Sequence, residues 1–382
     1  MTTKIFAMYL PQYHSIPEND KFWGKGFTDW VTVRNAKPLY DGHSQPKVPL
    51  NKNYYDLSLK ENISWQVDLA TKYGIDGFAI YHYWFNNETN LLTKPSEIIY
   101  ENKNIDILYF FAWDNNNWKR SWSNVEGNDW APSMDNQNAN KSVGPQILIP
   151  YILGNERDWK MHYDYLLPYF RDSRYVKKDN KPVFVIWTHS IEIDKMARYW
   201  DNLAKKDGFA GVYFVYQYKE KGILNTPTVY NGCNSFRYEP QFSGWARKTF
   251  VEKLERKLLT FLGIKRKEGL KIYDYDKIWE TILHDAQSNT GSTPNHIVGA
   301  FTSYDDTPRR GIVRGKVVSG SSPEKFQKYL SQLIKITRKQ NKPFIFLTAW
   351  NEWGEGAYLE PDEENGYKYL EAVKRARIEN QI

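Results

Sequence analysis

The 382-residue chain carries 52 Lys and Arg against 45 Asp and Glu, a formal charge of +7, and is 41% hydrophobic, 25% charged and 16% aromatic. Such a chain is too aromatic for intrinsic disorder and long enough to bury a core without disulfide or metal staples. Its one cysteine, Cys233, excludes an internal disulfide and a multi-cysteine zinc site.

The first apolar run, Ile5–Leu10, ends at Pro11 and is too short for a signal-peptide core. No window nears the roughly 18 uncharged apolar residues of a membrane span. A soluble, cytoplasmic enzyme is the expectation. Ile5–Leu10 instead reads as a strand. A long connection from Pro11 to Glu61 follows, carrying Tyr13, His14, Trp23, Phe27, Trp30, Tyr40, Tyr54 and Tyr55. Helical periodicity then runs over Ile63–Tyr73 and stops at Gly74, a residue suited to a left-handed C-cap. Gly77–Tyr83 and Ile107–Trp113 read as further strands. An Asn-rich connection from Asp114 to Gly144 holds Trp118, Trp122 and Trp130.

Val183–Trp187 and Val212–Gln217 continue the strand series, separated by a helix with Ile193, Met196, Ala197, Trp200 and Ala204 on one face. The sixth strand, near Ser235–Glu239, has the weakest pattern. Ile297–Thr302 and Phe344–Trp350 complete eight. Ser322 and Pro323 form an N-cap and first-turn pair for a helix burying Phe326, Tyr329, Leu330, Leu333 and Ile334. Tyr369, Leu370, Val373 and Ala376 mark the last helix. Most strand runs are continuously apolar, as strands covered on both faces are. Eight such runs alternating with helices predict a (β/α)8 TIM barrel forming one catalytic domain over residues 1–382.

The charge is concentrated. Nine bases and three acids fall between 246 and 271, leaving +1 for the rest of the chain. Phe250, Leu254, Leu258 and Leu262 recur every four residues there, which predicts a basic amphipathic helix. Its polar face is either simply solvated or a peripheral contact with anionic membrane or lipid-linked glycan at the inner face of the membrane.

Chemistry concentrates at the end of the eighth strand, in Trp350-Asn351-Glu352-Trp353-Gly354-Glu355-Gly356. Two carboxyls three positions apart leave a buried strand where a barrel places its catalytic groups. Glycosidic-bond cleavage commonly uses one protonated and one ionised carboxyl, and flanking tryptophans can raise one pKa by excluding water. Other strand ends supply His82 and Trp84, Trp113 and Asp114, Trp187 and His189, Tyr216 and Gln217, Tyr238 and Glu239, and Asp305 and Asp306. Aromatic faces for sugar C–H surfaces and polar forks for hydroxyls describe a carbohydrate cleft.

Other chemistries fail on spacing. Gly24-Lys25-Gly26 lacks the third glycine of a dinucleotide loop, and no P-loop, H-E-x-x-H or nucleophile elbow occurs. The seven histidines are scattered, so a metal site is neither shown nor excluded, and no metal ligand or cofactor is named. Asp305-Asp306 could hold a metal or a diphosphate, but such a pair more often caps a turn or holds a sugar hydroxyl. Aromatic residues are not interleaved with a basic run, so no nucleic-acid partner is expected.

Ordered blocks through the chain carry a resemblance. They are Tyr9-Leu10-Pro11-Gln12-Tyr13-His14, Ile16-Pro17-Glu18-Asn19, Trp23-Gly24-Lys25-Gly26-Phe27-Thr28-Asp29-Trp30, Gly42-His43-Ser44-Gln45-Pro46, Tyr81-His82-Tyr83-Trp84, Asp306-Thr307-Pro308-Arg309-Arg310-Gly311 and the stretch from Asn351 to Pro361. On these the chain resembles the bacterial WbsX-type family, related to glycoside hydrolase family 99. The resemblance implies a (β/α)8 barrel with its site in the upper face.

WbsX-type proteins are labelled glycosyltransferases of cell-surface polysaccharide assembly, while the related hydrolases are retaining endo-acting mannosidases. Carried over, Glu352 is the base acting through the sugar's 2-hydroxyl, and Glu355 is the general acid/base at the glycosidic oxygen. The substrate-binding set is Tyr9, Gln12, His14, Trp30, His82, Trp84, Trp113, Asp114, Asn116, Tyr238, Glu239, Asp306, Trp350, Asn351 and Trp353. Two departures stand out: Gly354 replaces a histidine of the hydrolases, and Asn116 stands where an acidic residue is usual. The expected activity is retaining endo-hydrolysis of an oligo- or polysaccharide. The alternatives are glycosyl transfer in surface polysaccharide synthesis and a non-catalytic carbohydrate-binding barrel.

Overall fold

The computed structural model describes residues 3–119, 147–218, 234–246, 269–288 and 296–381. The basic segment, apart from its ends, lies outside these residues, as do Cys233, Trp122 and Trp130.

Eight strands form the sheet: β1 (Lys4–Tyr9), β2 (Gly77–Asn86), β3 (Leu108–Trp113), β4 (Lys181–Ile186), β5 (Tyr213–Gln217), β6 (Asn234–Phe236), β7 (His296–Phe301) and β8 (Phe344–Thr348). Each pairs in parallel with its sequence neighbour, and β8 returns to β1 with Lys4–Ala7 opposite Phe344–Leu347, so the barrel closes. β6, weakest in sequence, is the shortest at three residues.

Ring contacts show what fills the barrel. Phe6 meets Phe110 at 5.1 Å, Phe110 meets Phe346 at 5.4 Å, and Phe346 meets Phe236 at 5.5 Å. These rings sit on strands that are not hydrogen-bonded neighbours, so the contacts cross the interior. Above this phenylalanine layer lie Tyr81, Trp187 and Tyr238, with Trp187 5.5 Å from both Tyr81 and Phe236. Layers built from alternating strands are the usual way such a barrel is packed.

The opposite strand faces meet helices. The described α-helices are α1 (Pro17–Trp23), α2 (Asp29–Arg34), α3 (Lys60–Tyr73), α4 (Lys94–Glu101), α5 (Glu156–Arg171), α6 (Ile191–Lys206), α7 (Tyr275–Ser288), α8 (Thr307–Arg314), α9 (Pro323–Lys339) and α10 (Lys368–Glu379), of which α1, α2 and α8 lie at the mouth instead. Phe111 packs on Tyr169 of α5 and Phe184 on Trp200 of α6. Local chemistry sets the ends. Gly74 stops α3 in the left-handed region at φ 88°, and Ser322 Oγ accepts from the Lys325 N–H to start α9. Asn155 and Asp158 exchange side-chain and backbone bonds at the start of α5. The long connection after β1 is ordered by α1 and α2, two short helices that lie above the barrel mouth. No described helix is long and apolar enough to cross a membrane.

Candidate active site

Beyond β8 the chain forms a tight hairpin. Asn351–Glu352 pairs with Ala357–Tyr358, and Gly356 makes the turn in the left-handed region at φ 56°. Asn351 is fully buried. Its Oδ1 accepts from the Leu10 N–H at 2.7 Å and its Nδ2 donates to the Leu10 carbonyl at 2.9 Å. The hairpin is thereby fastened to the end of β1. Asn351→Ala orphans both backbone groups and is expected to cost about 2–4 kcal/mol, read by urea denaturation.

Trp353 is buried against Tyr358, with ring centroids 3.7 Å apart, and its Nε1 donates to Glu360 Oε2 at 2.6 Å. Glu360 also accepts from Tyr55 Oη and Gln66 Nε2, both at 2.7 Å, and burial pushes its carboxyl up to about 7. Trp30 packs on Tyr13, Tyr55 and Trp353 and donates to the Tyr55 carbonyl. Trp30, Trp350, Asn351 and Trp353 thus form the frame that aims the two glutamates.

The glutamates converge on one guanidinium. Arg309, on α8, donates from Nη1 to Glu355 Oε1 at 2.9 Å. From Nη2 it donates to Glu352 Oε2 at 3.2 Å and to Asp29 Oδ2 at 3.0 Å. Tyr13 Oη lies 3.4 Å from the same Asp29 oxygen and donates to the Asn351 carbonyl at 2.7 Å. Three carboxyls therefore share a single buried cation. The Glu352 side chain is 6% exposed and that of Glu355 18%, so Glu352 is the deeper member. Burial, reinforced by the neighbouring Glu355 and Asp29 and only partly offset by Arg309, pushes Glu352 up to about 8.

Tyr81, Tyr83 and Tyr238 all feel the Glu352 charge and wall the pair from the barrel side. Gln12 donates to Tyr83 Oη at 3.1 Å, and Tyr81 Oη donates to Tyr238 Oη at 3.4 Å. A narrow crevice borders Asp29 and Arg309 of this cluster, lined also by Gln12, Asn19, Trp23, Phe27 and Trp118 among others.

The structure therefore brings Gln12, Tyr238, Glu352 and Glu355 together. Asp114 lies close enough for its charge to act on Tyr83, while Asn116 is exposed, donating to Asp114 and accepting from Thr188. Other members of the predicted set lie elsewhere. Tyr9 points out of the barrel to donate to Gln66 at 2.7 Å, and His14 faces the charges of Asp56, Lys94 and Glu97.

His82, Trp84 and Trp113 pack on α5. His82 Nε2 is 2.8 Å from His162 Nε2, and Trp84 stacks on that imidazole at 4.4 Å. Burial pushes His82 down to about 3, so the pair is neutral. Strand alternation explains the split, since Tyr81 and Tyr83 face the mouth while His82 and Trp84 face the helices.

Glu239 likewise points away from Tyr238. It accepts from Ser243 N at 2.9 Å and Ser243 Oγ at 2.7 Å, and burial pushes it up to about 7. Asp306 is fully buried among Tyr304, Arg310 and Lys316, and Asp305 accepts from Gln45, Thr307 and His43. Both carboxyls of that pair are engaged by protein groups, which brace the start of α8 beneath Arg309. Among the described residues, no group of three or more His, Cys, Asp and Glu side chains could hold a metal ion.

Asp29 and Arg309 were not in the predicted site set. They stand in two of the sequence blocks quoted above, but nothing in the spacing says that α2 and α8 meet over the hairpin.

The profile of the family described as glycosyltransferase WbsX matches residues 5–373. A curated relative described as uncharacterized protein WxcX, from Xanthomonas campestris pv. campestris (strain B100), is 28% identical over 379 residues, 97% of this chain and 49% of that protein. The chain thus spans about half the length of the curated relatives it matches. Among solved structures, a glycoside hydrolase-like protein is similar at TM-score 0.58 and 12% identity, covering 98% of this chain and 94% of the other. A GH99 endo-alpha-mannosidase from Bacteroides thetaiotaomicron is similar at TM-score 0.52 and 12% identity, covering 99% and 98%. At that identity the likeness shows the shared barrel. The family profile, running from Ile5 to Val373, shows that the chain belongs to the WbsX glycosyltransferase family.

Proposed function

We propose that the chain is a carbohydrate-active enzyme that cleaves a glycosidic bond with retention of configuration, acting within an oligo- or polysaccharide of the cell-surface type. The observation that carries this reading is the convergence of Glu352 and Glu355 on Arg309 beside an aromatic crevice at the barrel mouth. The burial of Glu352 keeps a proton within the cluster at neutral pH. A cluster holding one proton and remaining charge contains both an acid and a base, which is what the reaction needs.

In this reading Glu355, the more exposed carboxyl, gives a proton to the leaving oxygen. Glu352 draws the proton from the sugar's 2-hydroxyl, whose oxygen attacks the anomeric carbon as the bond to the leaving group breaks. Water then opens the internal product at the anomeric carbon: Glu355 takes up a proton from the water, and Glu352 returns its proton to the 2-oxygen as the internal bond breaks. Gln12 and Tyr238 stand where they can orient hydroxyls, and Trp23, Phe27 and Trp118 where they can face the sugar ring. The structural likeness to GH99 endo-alpha-mannosidase supports the scaffold for such chemistry, with the sugar left open. Proton NMR of the first product formed tests the stereochemistry. The anomeric signal is expected to match the substrate's configuration, and initial inversion would reject the mechanism.

The family's description favours a second reading, transfer of a sugar in surface-polysaccharide synthesis. It predicts consumption of a nucleotide sugar only when an acceptor is present.

A further inference from the structure

Gly354 separates the two glutamates, and its backbone is not what demands glycine. Its φ lies outside the left-handed region, whereas Gly356, two residues on, is the one that turns the hairpin. The demand comes from space. A Cβ at position 354 would sit 2.5 Å from Arg309 Nε, 3.0 Å from Arg309 Cζ and 2.6 Å from Asp29 Oδ2. Real side chains do not approach that closely, so even alanine must displace the Arg309–Asp29 pair. The alternative occupants of this volume are a side chain from residue 354 or the guanidinium from α8.

We infer that Arg309 is a positioning residue that holds Glu352, Glu355 and Asp29 as one cluster, and that Gly354 is the vacancy that admits it. The inference rests on the proposed role of the glutamate pair. A guanidinium suits the task because its planar fork donates in two directions at once, from Nη1 to one glutamate and from Nη2 to the other, which an ammonium cannot match. Around Glu352 the charged and titratable groups are Glu355 from its own hairpin, Asp29 from α2, Arg309 from α8, Tyr13 from the connection after β1, Tyr81 and Tyr83 from β2, and Tyr238 beyond β6. Arg309 is the cation among them. Its removal leaves mutually repelling carboxyls in a dry site, and the two glutamates then have no common partner to fix their separation.

The test is a carbon-13 NMR titration of the full chain labelled at the glutamate carboxyl, with the Glu352 signal assigned by its loss in Glu352→Gln. Arg309→Met is expected to raise the Glu352 midpoint by about one unit or more, since an adjacent cation lowers a carboxyl by that order. Gly354→Ala is expected to raise it in the same direction, and the double variant to add nothing beyond Arg309→Met alone. A midpoint in Gly354→Ala equal to that of the parent chain, or additive shifts in the double variant, would overturn the inference. If Arg309→Met fails to fold, Gly354→Ala and Arg309→Lys carry the test, and both must move the midpoint upward. The titration uses no sugar. A glycan screen that fails while these shifts occur rejects the cleavage reading and leaves the positioning of the cluster standing.

Discussion

Glu355→Gln is expected to lower turnover of an unactivated glycan by about 10²–10⁴-fold, the usual contribution of a positioned general acid. The same variant is expected to recover most of the first step on a glycosyl fluoride, because fluoride leaves without a proton. Glu352→Gln is expected to fail on both substrates, since the proton on the attacking hydroxyl must still be removed. The opposite pattern, with Glu352→Gln rescued by fluoride and Glu355→Gln not, would exchange the two roles. Ionisation adds a second readout. The active cluster keeps its one proton on Glu355 while Glu352 is ionised, and burial holds that proton in the cluster up to about 8, so kcat/KM is expected to fall as pH rises through about 8. A rate that instead climbs through that pH would contradict the acid role of Glu355.

The second large effect is on stability. Glu352 is raised to about 8, and Glu360 and Glu239 to about 7, in each case chiefly by burial. Their ordinary value is 4.5, so between 4.5 and these raised values the folded chain holds protons that the unfolded chain has released. Their stabilisation is complete below pH 4.5 and is lost as pH rises through about 7 and 8. Glu352→Gln keeps the neutral shape while removing one titration. Above pH 8 it is expected to be more stable than the parent by about 2–4 kcal/mol, with near equality at pH 4.5. Thermal denaturation of both chains across that range checks it, and superimposable Tm–pH curves would contradict it. A substitution that abolishes turnover yet stabilises the fold is the signature of a group whose environment is tuned for chemistry rather than folding.

The barrel was legible because its strands are covered on both faces. Runs such as Phe344–Thr348 bury every residue and so stand out against amphipathic helices. The glutamate pair was legible because a single strand end carries it. The rest of the site draws on distant segments, and there residue type was a weaker guide than strand phase. His82 and Trp84 have the chemistry of sugar binders, but their neighbours Tyr81 and Tyr83 hold the inward positions. Trp30, Trp350 and Trp353 have the right type too, yet each is buried in the frame behind the glutamates. Arg309 and Asp29 were invisible as a pair because their meeting over the hairpin is a tertiary contact. The glycine that permits it carries no chemistry of its own, and only the space around it explains its presence.

The measurement that bears most directly on the glutamate-pair account is mass spectrometry of the chain incubated side by side with bacterial oligosaccharides and with nucleotide sugars. Shortened glycans are expected from the parent chain, none from Glu352→Gln or Glu355→Gln, with the nucleotide sugars left intact. Nucleotide-sugar consumption that depends on an acceptor, or identical products from the parent and both variants, would contradict it.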